Sequence, residues 1–299
     1  MTHYLSFNDA MRARFGRKLY KLSLDGGFTC PNRDGKLDTR GCIFCSGAGE
    51  FAEKSHGDLT AQLEAAKARV AAKAKDAGYI AYFQAFTNTY ASPARLREMY
   101  LPVVQHPDVA VLDIATRPDC LGPEVLEVLS ELAAVKPLWV ELGLQTIHPR
   151  TAAFIRRGYD LEVYDQAVAD LHRIGAEVIT HQIIGLPGET EQDIYDTARY
   201  IGASGADGVK FHLLHIIRGT DLARLYEAGA VDTLSMEEYF RLLAGCIQRI
   251  PPHMVVHRLT GDGDKRTLLA PLWSADKKRV LNDMNRYFRD IGLQQGSLL

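Results

Sequence analysis

Three cysteines are the residues of this chain whose types and spacing point most directly to chemistry. Cys30, Cys42 and Cys45 lie in one glycine-rich segment, with eleven residues in the first gap and two in the second. Three thiolates can bind three irons of a [4Fe–4S] cluster and leave the fourth iron open for a ligand, whereas an electron carrier usually has four cysteine ligands. A zinc site with His56 as the fourth ligand is the alternative that this spacing leaves open.

The other cysteines do not extend this set. The chain has five cysteines, and an odd number without a visible secretory signal argues against a framework of disulfides. We therefore expect Cys120 and Cys246 to be ordinary small buried side chains.

Alternating strand-like and helix-like segments predict the scaffold that positions the cysteines. Short apolar, β-branched or aromatic runs predict strands over 21–25, 79–86, 109–116, 138–144, 177–184, 208–214 and 253–258. Longer segments between them predict helices over 58–77, 93–104, 122–134, 161–174, 189–203 and 235–249. This alternation favours parallel strands with right-handed crossovers, in an open α/β sheet or a barrel. In such folds the working groups lie at the carboxyl ends of the strands.

The composition is that of a globular protein. Its 299 residues are 46% hydrophobic and 24% charged, which excludes a disordered or fibrous chain. The longest stretch without charge, 77–94, contains polar residues and proline, so no membrane span is expected. No secretory signal is visible, and we expect a cytoplasmic protein.

Charge is distributed unevenly along the chain. Residues 1–40 carry eight Lys or Arg against four Asp or Glu, and residues 251–299 carry eight against five. Two basic ends would form one phosphate-attracting face if they meet in the folded chain. We expect one main domain over 1–250 and a short basic extension over 251–299.

Six motifs occur in order along nearly the whole chain. They are KLSLDGGFTCPNRDGKLDTRGCIFCSGAGEF from Lys21, YFQAFTNTYA from Tyr82, TRPDCL from Thr116, ELGLQT from Glu141, GLPGE from Gly185 and RLTGDGDKRTLLAPLW from Arg258. Together they resemble the radical S-adenosylmethionine (SAM) superfamily, and more closely the YhcC-type bacterial family related to the radical-SAM domain of the Elongator catalytic subunit. The first gap between the cysteines is longer than in the commonest superfamily motif, C-x3-C-x2-C.

The resemblance implies the fold, the cofactors and the reaction type. The fold would be a partial (β/α)6 TIM-like barrel with a short C-terminal extension. The cofactors would be a [4Fe–4S] cluster held by the three cysteines and SAM on the free iron, with SAM cleaved to a 5′-deoxyadenosyl radical. The residues that the resemblance places around SAM are Gln84, Thr87, Asn88, Arg117, Glu141, Gln145, Arg157, His181 and Ile183.

Some of these residues also have ordinary explanations. Arg117 and Arg157 stand near Asp119 and Asp160, and a surface ion pair would account for either arginine. Glu141 lies within an apolar run, where an unpaired carboxylate would be costly, so a barrel-lining or ligand-binding role is expected for it.

The resemblance also implies a substrate and partners. Kinship with the Elongator domain implies a tRNA uridine, at the wobble base or its C5 substituent, and an electron donor such as flavodoxin or ferredoxin. The residues expected to dock phosphates are Lys265, Arg266, Lys277 and Lys278, with Trp273 as a stacking surface. An exposed basic helix with Trp273 in the core is the alternative for this cluster.

Other functions remain open from sequence. A radical SAM enzyme that acts on a small molecule or a peptide is the nearest alternative. A zinc-stabilised nucleic-acid-binding module and an electron-transfer protein with a closed cluster are the alternatives from other classes.

Overall fold

The computed structural model describes residues 3–46, 58–72, 74, 76–261, 263 and 265–299. Its strands are β1 (Leu19–Leu24), β2 (Gly78–Phe83), β3 (Val109–Thr116), β4 (Leu138–Gln145), β5 (Glu177–Ile184), β6 (Gly208–Leu213), β7 (Ile216–Ile217), β8 (Val255–Arg258) and β9 (Leu268–Ala270). Its α-helices are α1 (Phe7–Phe15), α2 (Leu59–Val70), α3 (Pro93–Gln105), α4 (Pro123–Ala133), α5 (Pro149–Phe154), α6 (Leu161–Arg173), α7 (Glu191–Ala203), α8 (Asp221–Glu227), α9 (Met236–Ile247) and α10 (Lys277–Asp290). Among these helices, none has both the length and the apolar character needed to cross a bilayer.

The main sheet has seven parallel strands in the order β1-β2-β3-β4-β5-β6-β8, and a separate antiparallel pair joins β7 to β9. The Lys21 ammonium of β1 lies 2.8 Å from the Glu141 carboxylate of β4. Three strand spacings would separate these two strands by about 14 Å in a flat sheet, so the sheet must curl. The predicted partial α/β barrel is confirmed, with a seventh strand supplied by the segment predicted as an extension.

Helix α1 covers the end of the barrel where the strands begin. The hydroxyl of Ser6 caps the helix by accepting from the Asp9 amide, and Gly16 ends it in a left-handed conformation. Phe7 and Met11 pack on apolar side chains near the starts of five strands, which are Leu19, Ile80, Val111, Trp139 and Ile179. The carboxyl ends of the strands are therefore where a ligand can enter.

Most element bounds agree with the sequence prediction. Strands β3 and β5 have the predicted bounds, and the other predicted strands differ by up to three residues at an end. Pro93 and Pro123 lie at the first positions of α3 and α4, and Ser235 forms a capping box with Glu238 at α9. The helix predicted over 58–77 is shorter and ends at Val70. Helices α1, α5 and α8 were not predicted, and α10 is the basic helix that the sequence offered as the alternative for the C-terminal cluster.

The two ends of the described chain meet. The His3 ring lies 3.2 Å from the Leu293 carbonyl oxygen, and the Leu5 amide donates to Gln295 at 2.8 Å. The ring centroids of Tyr4 and Phe288 are 6.2 Å apart. The condition for a shared basic surface, that the ends come together, is therefore met.

Candidate functional site

The loop between β1 and α2 brings the three cysteines to the carboxyl end of the barrel. All three are half-buried. The Cys45 amide donates to the Cys42 carbonyl at 3.0 Å, which folds the C-x2-C segment into a turn. The Ile43 amide donates to the Ile155 carbonyl at 3.2 Å, so the turn is attached to the end of α5. Gly41 has a φ of +77°, a conformation that L side chains rarely adopt.

The spacing of the three sulfurs bears on the zinc alternative. Tetrahedral zinc with bonds of about 2.3 Å would bring its sulfur ligands to within about 4 Å of one another. The sulfurs of Cys30, Cys42 and Cys45, all described residues, are not gathered within 4.8 Å of one another. At least one pair of these described sulfurs therefore lies further apart than the sulfur ligands of a tetrahedral zinc ion. His56, the fourth ligand of the zinc alternative, lies outside the described residues.

Polar groups surround the Cys42 sulfur. Burial raises the pKa of this thiol, while the Asn32 amide, which lies 3.4 Å from the sulfur, and the Arg117 guanidinium act in the opposite direction. Arg117 is bound through two nitrogens to the Asp119 carboxylate, as the ion-pair interpretation expects, and lies over the Tyr159 ring. Its positive charge therefore stands beside the thiols and remains partly balanced by an acid.

The segment after β2 presents an unsatisfied acceptor. The Thr87 amide donates to the Thr29 carbonyl next to Cys30, which joins this segment to the cysteine loop. The Asn88 side-chain nitrogen donates to the carbonyls of Phe83 and Ala115 at 3.1 and 2.9 Å. Its Oδ1 is buried and has no hydrogen-bond partner among the described residues. An amide oxygen fixed in this way can accept from the amino group of a bound ligand.

Gln84 follows the last residue of β2 and is half-buried. Gln145, the last residue of β4, is half-buried and has a φ of +68°. Such a conformation is uncommon for a side-chain-bearing residue and occurs often at functional sites.

Arg157 lies beneath the end of β4. It donates to the main-chain carbonyls of Leu144, Thr146 and Tyr159, at 2.6 to 3.4 Å. Its guanidinium is buried and its donors go to the backbone, so in this structure it supports the strand end; the surface pair suggested with Asp160 is not formed.

Ile183 packs at the carboxyl end of β5. It belongs to an apolar cluster that includes Ile43 of the cysteine loop and Ile155 after α5. This packing holds the cysteine turn against the strand end at which the resemblance places SAM.

Glu141 lies inside the barrel in a layer of charges. Its carboxylate is within 2.8 Å of the Lys21 ammonium and within 2.5 Å of the Lys210 ammonium, and it also contacts the Tyr82 hydroxyl and His181. Burial by itself would raise the pKa of Glu141, but the two ammonium groups hold it well below its ordinary range. Glu141 therefore lines the barrel, where described residues already partner its carboxylate, and its contact with SAM stays a prediction.

Other members of this layer were missed by the sequence reasoning. Asp113 is fully buried and lies 2.5 Å from Lys21, and burial lowers the pKa of Lys210 to about 7. The signal that singled out Glu141, a charge within an apolar strand, is also present at Lys21, Asp113 and Lys210. His181, at 2.8 Å from Glu141, extends the layer towards His212, whose ring centroid is 4.9 Å away.

The predicted phosphate-docking residues lie in the C-terminal segment. Lys265 and Arg266 are exposed in the turn before β9, and Lys277 and Lys278 are exposed at the start of α10. Trp273 is not a free stacking surface, which corrects that expectation. Its indole nitrogen donates to the Leu234 carbonyl, and its ring packs near Tyr239 and Phe240, because an indole buries a large apolar area when its N–H finds a partner.

Known proteins support this interpretation of the fold and loop. A model of the Radical SAM superfamily matches residues 39–201, and a model of the Radical_SAM C-terminal domain matches residues 206–290. The chain is 44% identical to the uncharacterized protein YtqA of Bacillus subtilis (strain 168), over 98% of this chain and 92% of that protein. It is 37% identical to protein YhcC of Escherichia coli (strain K12), over 98% and 94%.

Similarity to Elongator-type proteins is partial in sequence and extensive in fold. The tRNA uridine(34) acetyltransferase of Methanocaldococcus jannaschii is 27% identical over 50% of this chain and 28% of its own length. The structure of Methanocaldococcus infernus Elp3 superposes with a TM-score of 0.70 at 16% identity, over 93% of this chain and 64% of that chain. The expected resemblance is confirmed: the chain belongs to the radical SAM superfamily, and its cofactors are a [4Fe–4S] cluster and SAM.

Proposed function

We propose that this radical SAM enzyme modifies a tRNA, at the wobble uridine or its C5 substituent. The observation that carries the proposal is a run of three cations, Lys277, Lys278 and Arg279, in the first turn of α10. The amino end of a helix carries a partial positive charge, which adds to that of the three cations and makes this turn attractive to a further anion beside the capping Asp276. RNA phosphates would supply that anion. The partial similarity to a tRNA uridine(34) acetyltransferase supports the choice of RNA.

The surroundings of this run suit a large anionic partner. Lys277 and Lys278 are exposed, and Arg279 forms an ion pair with the Asp283 carboxylate at 3.5 Å. Leu272, just before the helix, is 69% exposed and offers an apolar surface beside the charges. We propose that the C-terminal segment after β8 docks the RNA backbone while the barrel receives the reacting base.

The residues of the barrel mouth have separate tasks in this proposal. Cys30, Cys42 and Cys45 would bind the cluster, and the Asn88 Oδ1 would accept a hydrogen bond from the SAM amino group. Gln84, Thr87 and Gln145 line the strand ends around them. When bound, the cluster and SAM supply the one-electron chemistry that removes a hydrogen atom from the substrate. The curled sheet and the apolar packing below it would keep water away from that step.

The cluster also requires an electron source and a reducing environment. We propose a small redox protein such as flavodoxin or ferredoxin as the donor. We also propose the cytoplasm as the location, because thiols that would bind a cluster are kept reduced there and oxidise in a disulfide-forming compartment.

The experiment measures tRNA-dependent SAM cleavage. The protein is reconstituted without oxygen, and 5′-deoxyadenosine is assayed with and without tRNA from cells that lack the protein. We expect tRNA to raise 5′-deoxyadenosine formation and to acquire a changed nucleoside detectable by mass spectrometry. The double variant Lys277→Glu and Lys278→Glu should bind tRNA more weakly than the control Arg173→Glu, whose exposed side chain lies at the end of α6.

Two results would contradict the proposal. If tRNA neither changes 5′-deoxyadenosine formation nor is altered, the substrate is of another class, and a small molecule or a peptide becomes the better assignment. If the control variant weakens tRNA binding as much as the double variant does, the contact is not specific to α10.

A further inference from the structure

The Asn32 side chain lies between the Cys42 sulfur and a backbone carbonyl. Its amide nitrogen is 3.4 Å from the sulfur and 2.7 Å from the Arg156 carbonyl oxygen. Asn32 is 2% exposed, so water does not compete for these hydrogen bonds. One NH2 group has two hydrogens and can donate one to each neighbour.

The orientation of this amide is fixed by its neighbours. An amide flip would place the Asn32 oxygen at 2.7 Å from the Arg156 carbonyl oxygen, and two acceptors at that distance repel each other. The nitrogen must therefore face the carbonyl, and the same nitrogen faces the sulfur. The donor to Cys42 is set by the fold before any cofactor binds.

The backbone around Asn32 holds the amide in this position. Its own carbonyl accepts from the Gly41 amide at 2.7 Å, next to Cys42. Arg156 has a φ of +58°, an unfavourable conformation that is retained while its carbonyl accepts from Asn32. Gly158 has no side chain, and a Cβ there would come within 3.3 Å of the Asn32 oxygen and 3.4 Å of the Arg117 guanidinium. The Gly41 hydrogen bond and the Arg156 carbonyl thus orient the Asn32 amide, and the missing Cβ of Gly158 leaves room for it.

We propose that Asn32 is a positioning residue that raises the reduction potential of the cluster through its hydrogen bond to the Cys42 sulfur. A hydrogen bond withdraws electron density from a thiolate ligand, so the ligand stabilises the oxidised cluster less and the reduced cluster becomes easier to form. Asn32 would therefore determine how negative the reduction potential of the electron donor must be. The proposal rests on cluster binding by the three cysteines and does not depend on the substrate.

The test compares variants that lack the donor. Asn32→Leu has nearly the same volume and no N–H group, and Asn32→Asp keeps the shape but places an acceptor beside the sulfur. Each protein is reconstituted without oxygen and without SAM. Iron is counted, and the midpoint potential is measured by redox titration followed by EPR. Gln62→Leu is the matched control, because it removes a buried amide that bonds the Asp25 backbone at the start of the same loop.

We expect both Asn32 variants to retain iron and to show midpoint potentials more negative than that of the parent protein. The control should retain the parent potential. Iron retained with an unchanged potential in both Asn32 variants would overturn the proposal. Iron lost from both would also overturn it, since Asn32 would then hold the loop and not tune the cluster. Iron lost from the parent itself would instead contradict cluster binding by the cysteines.

Discussion

Asn88 carries the clearest sign of a missing hydrogen-bond partner near the cysteine loop. Both hydrogens of its side-chain nitrogen are used by the carbonyls of Phe83 and Ala115, and its oxygen is buried without a partner among the described residues. A buried acceptor in this condition costs free energy unless a ligand satisfies it. The resemblance to the superfamily assigned Asn88 to SAM, and the geometry supports that proposal.

The substitution Asn88→Leu should therefore weaken SAM binding. The loss of one buried hydrogen bond to a polar ligand corresponds to roughly 10- to 100-fold in the dissociation constant. Titration of reconstituted protein with SAM, followed by the change in its EPR signal, measures this constant. The exposed Asn285→Leu on α10 is the control. An unchanged constant for Asn88→Leu would remove this residue from the SAM site.

The inner faces of β1, β3, β4 and β6 each carry one member of the charged layer, namely Lys21, Asp113, Glu141 and Lys210. Buried ion pairs contribute little net stability, yet removing one partner leaves its neighbours uncompensated. This layer lies between the apolar packing of α1 and the cysteine loop. It therefore links the stability of the barrel to the shape of the site above it.

Glu141→Gln should destabilise the fold strongly. The substitution removes the charge that balances two buried ammonium groups, and the expected loss in the free energy of unfolding is about 3 to 5 kcal/mol. Urea denaturation measures it. Glu98→Gln, on the exposed face of α3 and paired with Arg95, should change this free energy by less than about 1 kcal/mol. Equal effects of the two substitutions would show that the layer is not coupled to the fold as the contacts indicate.

The same carboxylate predicts a pH dependence. Lys21 and Lys210 hold the pKa of Glu141 below its ordinary value of 4.5, so its stabilising contribution is complete above that value and is lost as pH falls towards the folded pKa. The difference in unfolding free energy between the parent protein and Glu141→Gln should therefore shrink below about pH 4.5. A difference that stays constant down to pH 3 would contradict the depressed pKa.

Sequence patterns predicted where the strands lie better than they predicted which charged side chains point into the barrel. A strand buried on both faces shows a continuous apolar run, so its position is clear, and β3 and β5 were located to the residue. Whether Lys21 or Asp113 points inward depends on the register between strands, which no local pattern contains. Helix α1 was missed because it has only nine residues and a weak apolar face, and its partners come from five different strands.

At the scale of the whole molecule, the amino and carboxyl segments pack together and carry most of the excess positive charge. Residues 3–5 contact residues 293 and 295, which brings two segments with net positive charge side by side. Charge counts along the chain state only the condition for this arrangement, because they do not report which segments meet. The packing of Tyr4 on Phe288 joins them.

Salt dependence tests whether α10 contacts RNA phosphates. The logarithm of the tRNA binding constant falls linearly with the logarithm of the salt concentration. If Lys277 and Lys278 each neutralise one phosphate, the double Glu variant should make this slope shallower by about one for each lost contact. Fluorescence anisotropy with labelled tRNA between low and moderate salt gives this slope. If the double variant shows the same salt slope as the parent protein, these two lysines do not contact RNA phosphates.

The central claim is that three thiols at the mouth of the barrel hold a cluster with one open iron. Anaerobically reconstituted protein, analysed for iron and by EPR before and after SAM addition, tests it most directly. The account predicts four irons per chain, a spectrum that changes with SAM, and loss of both in Cys30→Ala, Cys42→Ala and Cys45→Ala. A colourless protein with one zinc per chain, or a cluster whose spectrum is indifferent to SAM, would contradict it.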